Sequence, residues 1–296
     1  MGAAPFLKWA GGKWAIAPQI ARLLPKDTKQ RVYREPFLGG GAMFFYLEPE
    51  RAFLSDSLGD LIGTYEVVRK SVEPLIRRLD KLRASHSKEQ FYAIRDRFND
   101  KKSSASAVER AAWLIYLNKT CYNGLFRTNK SGGFNVPMGA YKTCNVVDPS
   151  KIRLASAMLS HAVLSQERFD HLLEIAEPGD VIYLDPPYVP LSKTSNFSSY
   201  ADGEFGHDDQ VRLASVFREL DARGCLLALS NSDTPIVRAL YNDFDLTKIV
   251  APRNISSKTT TRAPTTELLV RNLKRYRGGD TPHPGPGGGT PHPGPR

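Results

Sequence analysis

The sequence predicts an α/β fold: a largely parallel sheet that carries a mostly helical insertion ending in a hairpin. Three observations predict it. Short apolar runs alternate with segments of helical periodicity. Glycine-rich or proline-rich loops follow two of the runs, where a strand gives way to a turn. The stretch 60–170 interrupts the alternation, being helical and charged at first and rich in turn formers later.

The elements follow in order. Ala15–Leu24 is amphipathic and stops at Pro25, which cannot continue a helix. Val32–Glu35 and Ala52–Ser55 are short apolar strands, and Ala42–Leu47 is a helix that opens on a glycine cluster. Leu61–Ala84 has apolar residues at close to helical spacing, so one long helix is expected. The helical, charged pattern runs on to Arg110, and Ala107–Leu117 reads as a buried helix. Tyr122–Tyr141 mixes aromatics and bases with two strong turn signals, Asn123-Gly124 and Gly132-Gly133, and reads as a projecting hairpin. Val181–Leu184, Cys225–Ser230 and Leu268–Leu273 are further buried strands, and Asp209–Arg223 is a helix closed by Gly224. The tail repeats TPHPGP at 281–286 and 290–295 around three glycines, has no apolar face to bury, and is expected to be disordered. Its His283 and His292 are read as solvated, and no metal site is expected.

Length and charge narrow the function classes. A chain of 296 residues suits one large domain with an insertion. No apolar run approaches the roughly 18 residues of a membrane span, and Lys8 interrupts the N-terminus before a signal-peptide stretch forms. Three cysteines, Cys121, Cys144 and Cys225, without CxxC spacing argue against a disulfide framework or a cysteine zinc site, so a reduced, cytoplasmic compartment is expected. The net charge is +10, but it is uneven: 60–170 carries +8, whereas 171–270 carries −5. A basic insertion beside an acidic body suggests a polyanion held by one segment.

The sharpest motif is Asp185-Pro186-Pro187-Tyr188, directly after the strand Val181–Leu184. Ligands of open α/β sheets collect at the carboxyl ends of strands. Two prolines there make a stiff loop that offers carbonyl acceptors without N–H groups, with an acidic residue before them and an aromatic after. Glu35-Pro36-Phe37-Leu38-Gly39-Gly40-Gly41 follows another strand, and its glycines let a cofactor approach the backbone at a helix start. It lacks the full G-x-G-x-x-G fingerprint, since Phe44 stands at the last glycine position. Ser55-Asp56 ends the second strand, where an acidic side chain holds ribose hydroxyls; a helix N-cap has the same appearance. In Phe6–Lys13 the GGK is not a P-loop: no strand precedes it, the first glycine is missing, and Trp14 occupies the Ser/Thr position.

Together these segments resemble the Dam-type (D12 class, group alpha) DNA adenine-N6 methyltransferases. The likeness covers Phe6 to Leu273 through FLKWAGGK at 6–13, EPFLGGG at 35–41, IYLNKTCYNGLFR at 115–127, GGFNVPMGAYK at 132–142, DPPYVPLSKTSNFSSY at 185–200 and SNSDT at 230–234. Six ordered segments make it specific. It implies a Rossmann-like S-adenosylmethionine-dependent methyltransferase sheet, with catalytic segments 1–59 and 171–277, a DNA target-recognition insertion at 60–170 and the tail at 278–296.

The resemblance also implies roles. Trp9, Lys13, Phe37, Gly39, Gly41, Asp56 and Asp185 would bind S-adenosylmethionine. Asp185 and the Pro186 carbonyl would accept the two N6 hydrogens of adenine, Tyr188 would stack on the base, and Phe197 would help enclose it. An exocyclic adenine amine is a poor nucleophile, and two aimed acceptors orient it and stabilise its developing positive charge. The base must leave the duplex to reach such a loop. Arg127 would read guanine, Lys8 would contact a base, Leu125 and Pro137 would meet a thymine methyl, and Tyr122 and Asn123 would enter the DNA stack. Phosphate binding is the other reading of Arg127 and Lys130. Ala140 replaces a basic residue of the family and Leu58 an asparagine, which bears on whether the target is the usual GATC.

The expected activity is therefore methylation of adenine N6 in double-stranded DNA by a cytoplasmic, nucleoid-associated enzyme, either solitary or partnered by a restriction enzyme. RNA or protein-amide methylation is an alternative that the Tyr122–Tyr141 segment argues against. A catalytically inactive DNA-binding homologue is another, against which the intact Asp185, Pro186 and Tyr188 stand.

Overall fold

The computed structural model describes residues 2–100, 102–129, 131–141, 146, 148–189, 205–251 and 265–273. The repeat tail at 278–296, Phe197, Lys130, Cys144 and the basic residues Lys274, Arg275 and Arg277 lie outside the described residues.

Seven strands form one sheet in the order β3-β2-β1-β4-β5-β7-β6. They are β1 (Val32–Glu35), β2 (Arg51–Ser55), β3 (Ala162–Ser165), β4 (Val181–Leu184), β5 (Leu226–Ser232), β6 (Asp245–Ala251) and β7 (Thr265–Arg271). The first five run parallel, and β7 is antiparallel to both β5 and β6. Chain order reverses at β1 and β4, which pair directly through Tyr33 and Val181. The loops leaving these two strands therefore open beside each other, at the switch point where such sheets bind ligands.

The pleat explains the layering. In β4, Val181 and Tyr183 join one apolar cluster, and Ile182 and Leu184 join the other. All four are fully buried, which is why this strand is a continuous apolar run. The first cluster extends into α1 (Ala17–Ala21), α2 (Ala42–Leu47), α3 (Gly59–Lys70), α4 (Val72–Ala84), α5 (Lys88–Asn99), α6 (Ala107–Thr120) and α7 (Pro149–Leu159). The second lies under α8 (Leu172–Ile175), α9 (His207–Ala222) and α10 (Pro235–Leu240). Helix starts follow side-chain chemistry: Ser87, Ser106, Asp148 and Thr234 each accept a backbone N–H of the first turn.

Several expectations need correction. The helix expected over Leu61–Ala84 is two helices, because Ser71, at φ −142° and ψ 43°, ends α3 and starts α4. Strand β3 lies inside 60–170 and pairs with β2, so that segment returns to the sheet before it ends. Four residues on a sheet edge carry too little pattern to be read from sequence. Strand β6 was likewise not anticipated. Tyr122–Tyr141 is not a regular hairpin: a 3-10 turn at Tyr122–Gly124 is followed by two isolated antiparallel bridges, Cys121 with Met138 and Thr128 with Phe134. No helix among the described residues is long and apolar enough to cross a membrane.

Candidate active site

A cavity of about 630 Å³ opens at the switch point between β1 and β4. Trp9, Lys13, Phe37, Gly39, Asp56, Asp185, Pro186 and Tyr188, all expected from the sequence to bind cofactor or do chemistry, line it together. Gly41 does not line it. Its φ of +66° and its N–H to the Leu38 carbonyl (2.7 Å) shape the turn into α2 instead.

Backbone geometry builds one wall. Gly39 holds φ +47°, and a Cβ there would meet the Trp9 indole at 2.8 Å. A Cβ on Gly40 would meet Trp9 Cβ at 3.0 Å. Only glycines let the N-terminal arm lie this close to the loop. The Gly39 N–H donates to Asp56 Oδ2 and the Leu58 N–H to Asp56 Oδ1, both at 3.0 Å. Burial raises the Asp56 pKa, and these N–H donors oppose the shift. Leu58 contributes its backbone to this turn, and its side chain makes no cap hydrogen bond at the start of α3.

The opposite wall is the Asp185–Tyr188 loop. Asp185 Oδ1 lies 3.1 Å from Lys13 Nζ, yet this buried oxygen has no hydrogen-bond partner. The Lys13 ammonium donates to the Gly11 carbonyl and sits 4.5 Å from the Tyr188 ring centroid. Burial is the main cause that pushes the Asp185 pKa up to about 6, against the pull of Lys13. From behind, the Gln210 side chain donates to the Pro187 carbonyl (2.8 Å) and accepts from Asn231 (3.0 Å). Asn231 and Ser232 also bind the Val189 backbone, which explains the SNSDT segment at the end of β5.

The sequence assigns no role to the other residues around the site. Phe37 stacks on Phe169 at 5.6 Å, and Phe205 packs edge-on against Phe37. Arg168 pairs with Asp209 at 2.7 Å on the cavity wall. Glu35, at the end of β1, accepts from the Tyr33 hydroxyl (2.8 Å) and the Phe44 N–H (3.1 Å), and burial pushes its pKa up to about 8. Glu267 on β7 accepts from the Tyr188 hydroxyl at 2.7 Å. Glu35 opens the EPFLGGG segment, whereas Phe169, Phe205, Arg168 and Glu267 lack a local motif and only the assembled fold brings them to the cavity or its surroundings.

The residues expected to touch DNA gather on a second surface beside this cavity. Asn118 bonds the Lys8 backbone in both directions (2.8 and 2.6 Å) and also donates to the Gly124 carbonyl. This fastens the N-terminal arm to the turn at Tyr122–Gly124. Lys8 Nζ lies 4.4 Å from the Tyr141 ring centroid. Tyr122, Asn123, Arg127 and Pro137 are exposed, and Leu125 is half-buried. The Tyr122 N–H donates to the Pro137 carbonyl (2.8 Å), and Arg127 Nε donates to Asn135 Oδ1 (2.8 Å). Trp9 stacks on Phe126 at 5.6 Å, so the two surfaces share a wall. Among the described residues no group of three or more His, Cys, Asp or Glu is arranged to hold a metal ion.

The chain is similar to known DNA methyltransferases. A family profile described as D12 class N6 adenine-specific DNA methyltransferase matches residues 9–255. The type II methyltransferase M.MjaIII of Methanocaldococcus jannaschii is 43% identical over 90% of this chain and 98% of its own. The type II methyltransferase M1.LlaDCHI of Lactococcus lactis is 40% identical over 90% of this chain and 95% of its own. The DNA adenine methylase of Escherichia coli is 35% identical over 90% and 94%.

Proposed function

The chain belongs to the D12 class of N6 adenine-specific DNA methyltransferases, and we propose that it methylates adenine N6 within GATC in duplex DNA, using S-adenosylmethionine and an extrahelical target base. The observation that carries the chemistry is Asp185 Oδ1, a buried acceptor without a hydrogen bond in a rigid loop on the cavity wall.

The residues present fit S-adenosylmethionine. The glycines at 39 and 40 leave a cradle that a Cβ would fill, and among the lining residues Asp56, Asp185 and Asp209 outnumber Lys13 and Arg168, which suits a cationic ligand. Trp9, Phe37, Gly39 and Asp56 would hold it. When bound, this cofactor supplies an electrophilic methyl group on a sulfonium. Asp185 accepts one N6 hydrogen and the Pro186 carbonyl the other, which aims the nitrogen lone pair and stabilises the charge that develops on it. Tyr188 offers its ring to the base. An adenine stacked in a duplex cannot reach this buried loop, which supports flipping.

The segment 60–170, carrying +8, faces the DNA in this reading, with 1–59 and 171–277 as the catalytic part. The exposed Arg127 reads guanine, and Lys8, Leu125 and Pro137 complete the base contacts while Tyr122 and Asn123 enter the stack. A DNA substrate implies a cytoplasmic, nucleoid-associated protein.

Labelled S-adenosylmethionine and duplexes with or without GATC test this reading, with Asp185→Ala alongside. The expected result is label on adenine of the GATC duplex alone, lost in the variant. Equal label on both duplexes would remove the GATC assignment. Label persisting in Asp185→Ala would remove the role given to that carboxylate.

A further inference from the structure

Glu267 stands opposite Ser232 of β5 and Ile249 of β6, so the antiparallel strand β7 delivers it to Tyr188 and Lys13 behind the cavity wall. Its Oε2 accepts the Tyr188 hydroxyl at 2.7 Å and lies 3.8 Å from Lys13 Nζ. Lys13 Nζ is also 3.1 Å from Asp185 Oδ1. One lysine, itself only 3% exposed, is thus shared by two carboxylates that are 20% and 15% exposed.

This sharing has consequences. The Lys13 ammonium donates to the Gly11 carbonyl and lies nearer Asp185 than Glu267, and Glu267 adds a second negative charge facing the same ammonium while Asp185 Oδ1 remains without a hydrogen bond. The cluster keeps a net negative charge where a positive charge must develop. The same Glu267 oxygen fastens the far end of the Tyr188 ring.

Resting on the roles proposed for Asp185 and Tyr188, we propose that Glu267 is a positioning residue for methyl transfer, which offsets the charge of Lys13 at Asp185 and tethers Tyr188 by its hydroxyl. It acts through those two side chains and not on the substrate itself. The charged and titratable groups around Asp185 are Lys13, Glu267, Tyr188, Glu35, Tyr33 and Tyr183. Glu267 is among the groups that raise the Asp185 pKa toward about 6, whereas Glu35 titrates at about 8, on the basic side.

The test uses the full chain and steady-state methyl transfer to a GATC duplex as a function of pH, for wild type, Glu267→Gln, Glu267→Asp and Asp185→Ala. The Gln variant keeps an oxygen for the Tyr188 hydroxyl and removes only the charge. Its kcat at neutral pH should fall about tenfold, and the acid limb of its profile should move to lower pH. Glu267→Asp should return the acid limb toward its wild-type position. An unmoved acid limb in Glu267→Gln, with kcat either unchanged or lowered equally at every pH, would overturn the proposal while an inactive Asp185→Ala left the underlying reading intact. An active Asp185→Ala would instead overturn that reading.

Discussion

The indole of Trp9 lies against the α-carbon of Gly39, so close that a Cβ built on that glycine would sit 2.8 Å from both Cδ1 and Nε1 of the ring. The same glycine donates its N–H to Asp56 and accepts the Tyr65 hydroxyl at its carbonyl. The N-terminal arm, the glycine loop and the carboxylate ending β2 are therefore one mechanical unit.

Gly39→Ala tests that unit. Its φ of +47° costs an L-residue about 1–2 kcal/mol, and the methyl group must also displace Trp9. We expect a lower Tm and at least a tenfold rise in the Kd for S-adenosylmethionine by calorimetry, about 1.4 kcal/mol. Wild-type affinity in a folded Gly39→Ala would mean that the cofactor does not depend on this contact.

Glu35 makes stability depend on pH. Burial pushes its pKa up to about 8 in the folded chain, against an ordinary 4.5. The folded state thus holds this proton more tightly than the unfolded state does. That contribution is complete below about 4.5 and is lost as pH rises through about 8. Glu35→Gln keeps an oxygen for Tyr33 and Phe44 and has no charge to bury. Its Tm should exceed that of wild type on the basic side, with the difference vanishing in mild acid. Parallel Tm curves for the two proteins across that range would contradict the assignment.

What was legible in the sequence depends on how local the signal is. The strands β1, β2 and β4 with their loops were readable, because a few apolar residues end directly in Glu35–Gly41, Ser55-Asp56 and Asp185–Tyr188. The cavity therefore assembled mostly from expected residues. Glu267 was not readable, since its place follows from the register of β7 on β5. Phe169 and Phe205 acquire meaning only by packing on Phe37. The break at Ser71 was hidden because apolar spacing continues from α3 into α4 and both helices bury the same side.

Asn135 should share the phenotype of Arg127. The Asn135 side chain accepts the Arg127 Nε–H at 2.8 Å, which fixes the guanidinium and leaves its outer edge available for a guanine. Arg127→Ala should lower discrimination against near-cognate duplexes by about 1–3 kcal/mol at one base pair. Asn135→Ala should do so less, through a looser arginine. Ratios of kcat/KM across single-substitution duplexes report both. A uniform loss on all duplexes, with a shallower salt dependence, would make Arg127 a phosphate contact instead.

Gln210 tests how the catalytic loop is held. Its amide lies behind that loop, donating to the Pro187 carbonyl and accepting from Asn231, and both Gln210 and Asn231 are buried. Gln210→Ala leaves two polar groups without partners, each costing about 1–3 kcal/mol, so Tm should fall. Prolines stiffen the chain locally, but they do not fix the distance between Asp185 and the far wall. A displacement of about 1 Å in a reacting group can cost about a hundredfold in rate. We therefore expect kcat to drop by about ten- to a hundredfold with cofactor affinity retained, since Gln210 does not line the cavity. A folded Gln210→Ala with wild-type kcat would show that the two prolines and the Asn231–Ser232 contacts suffice to hold the loop.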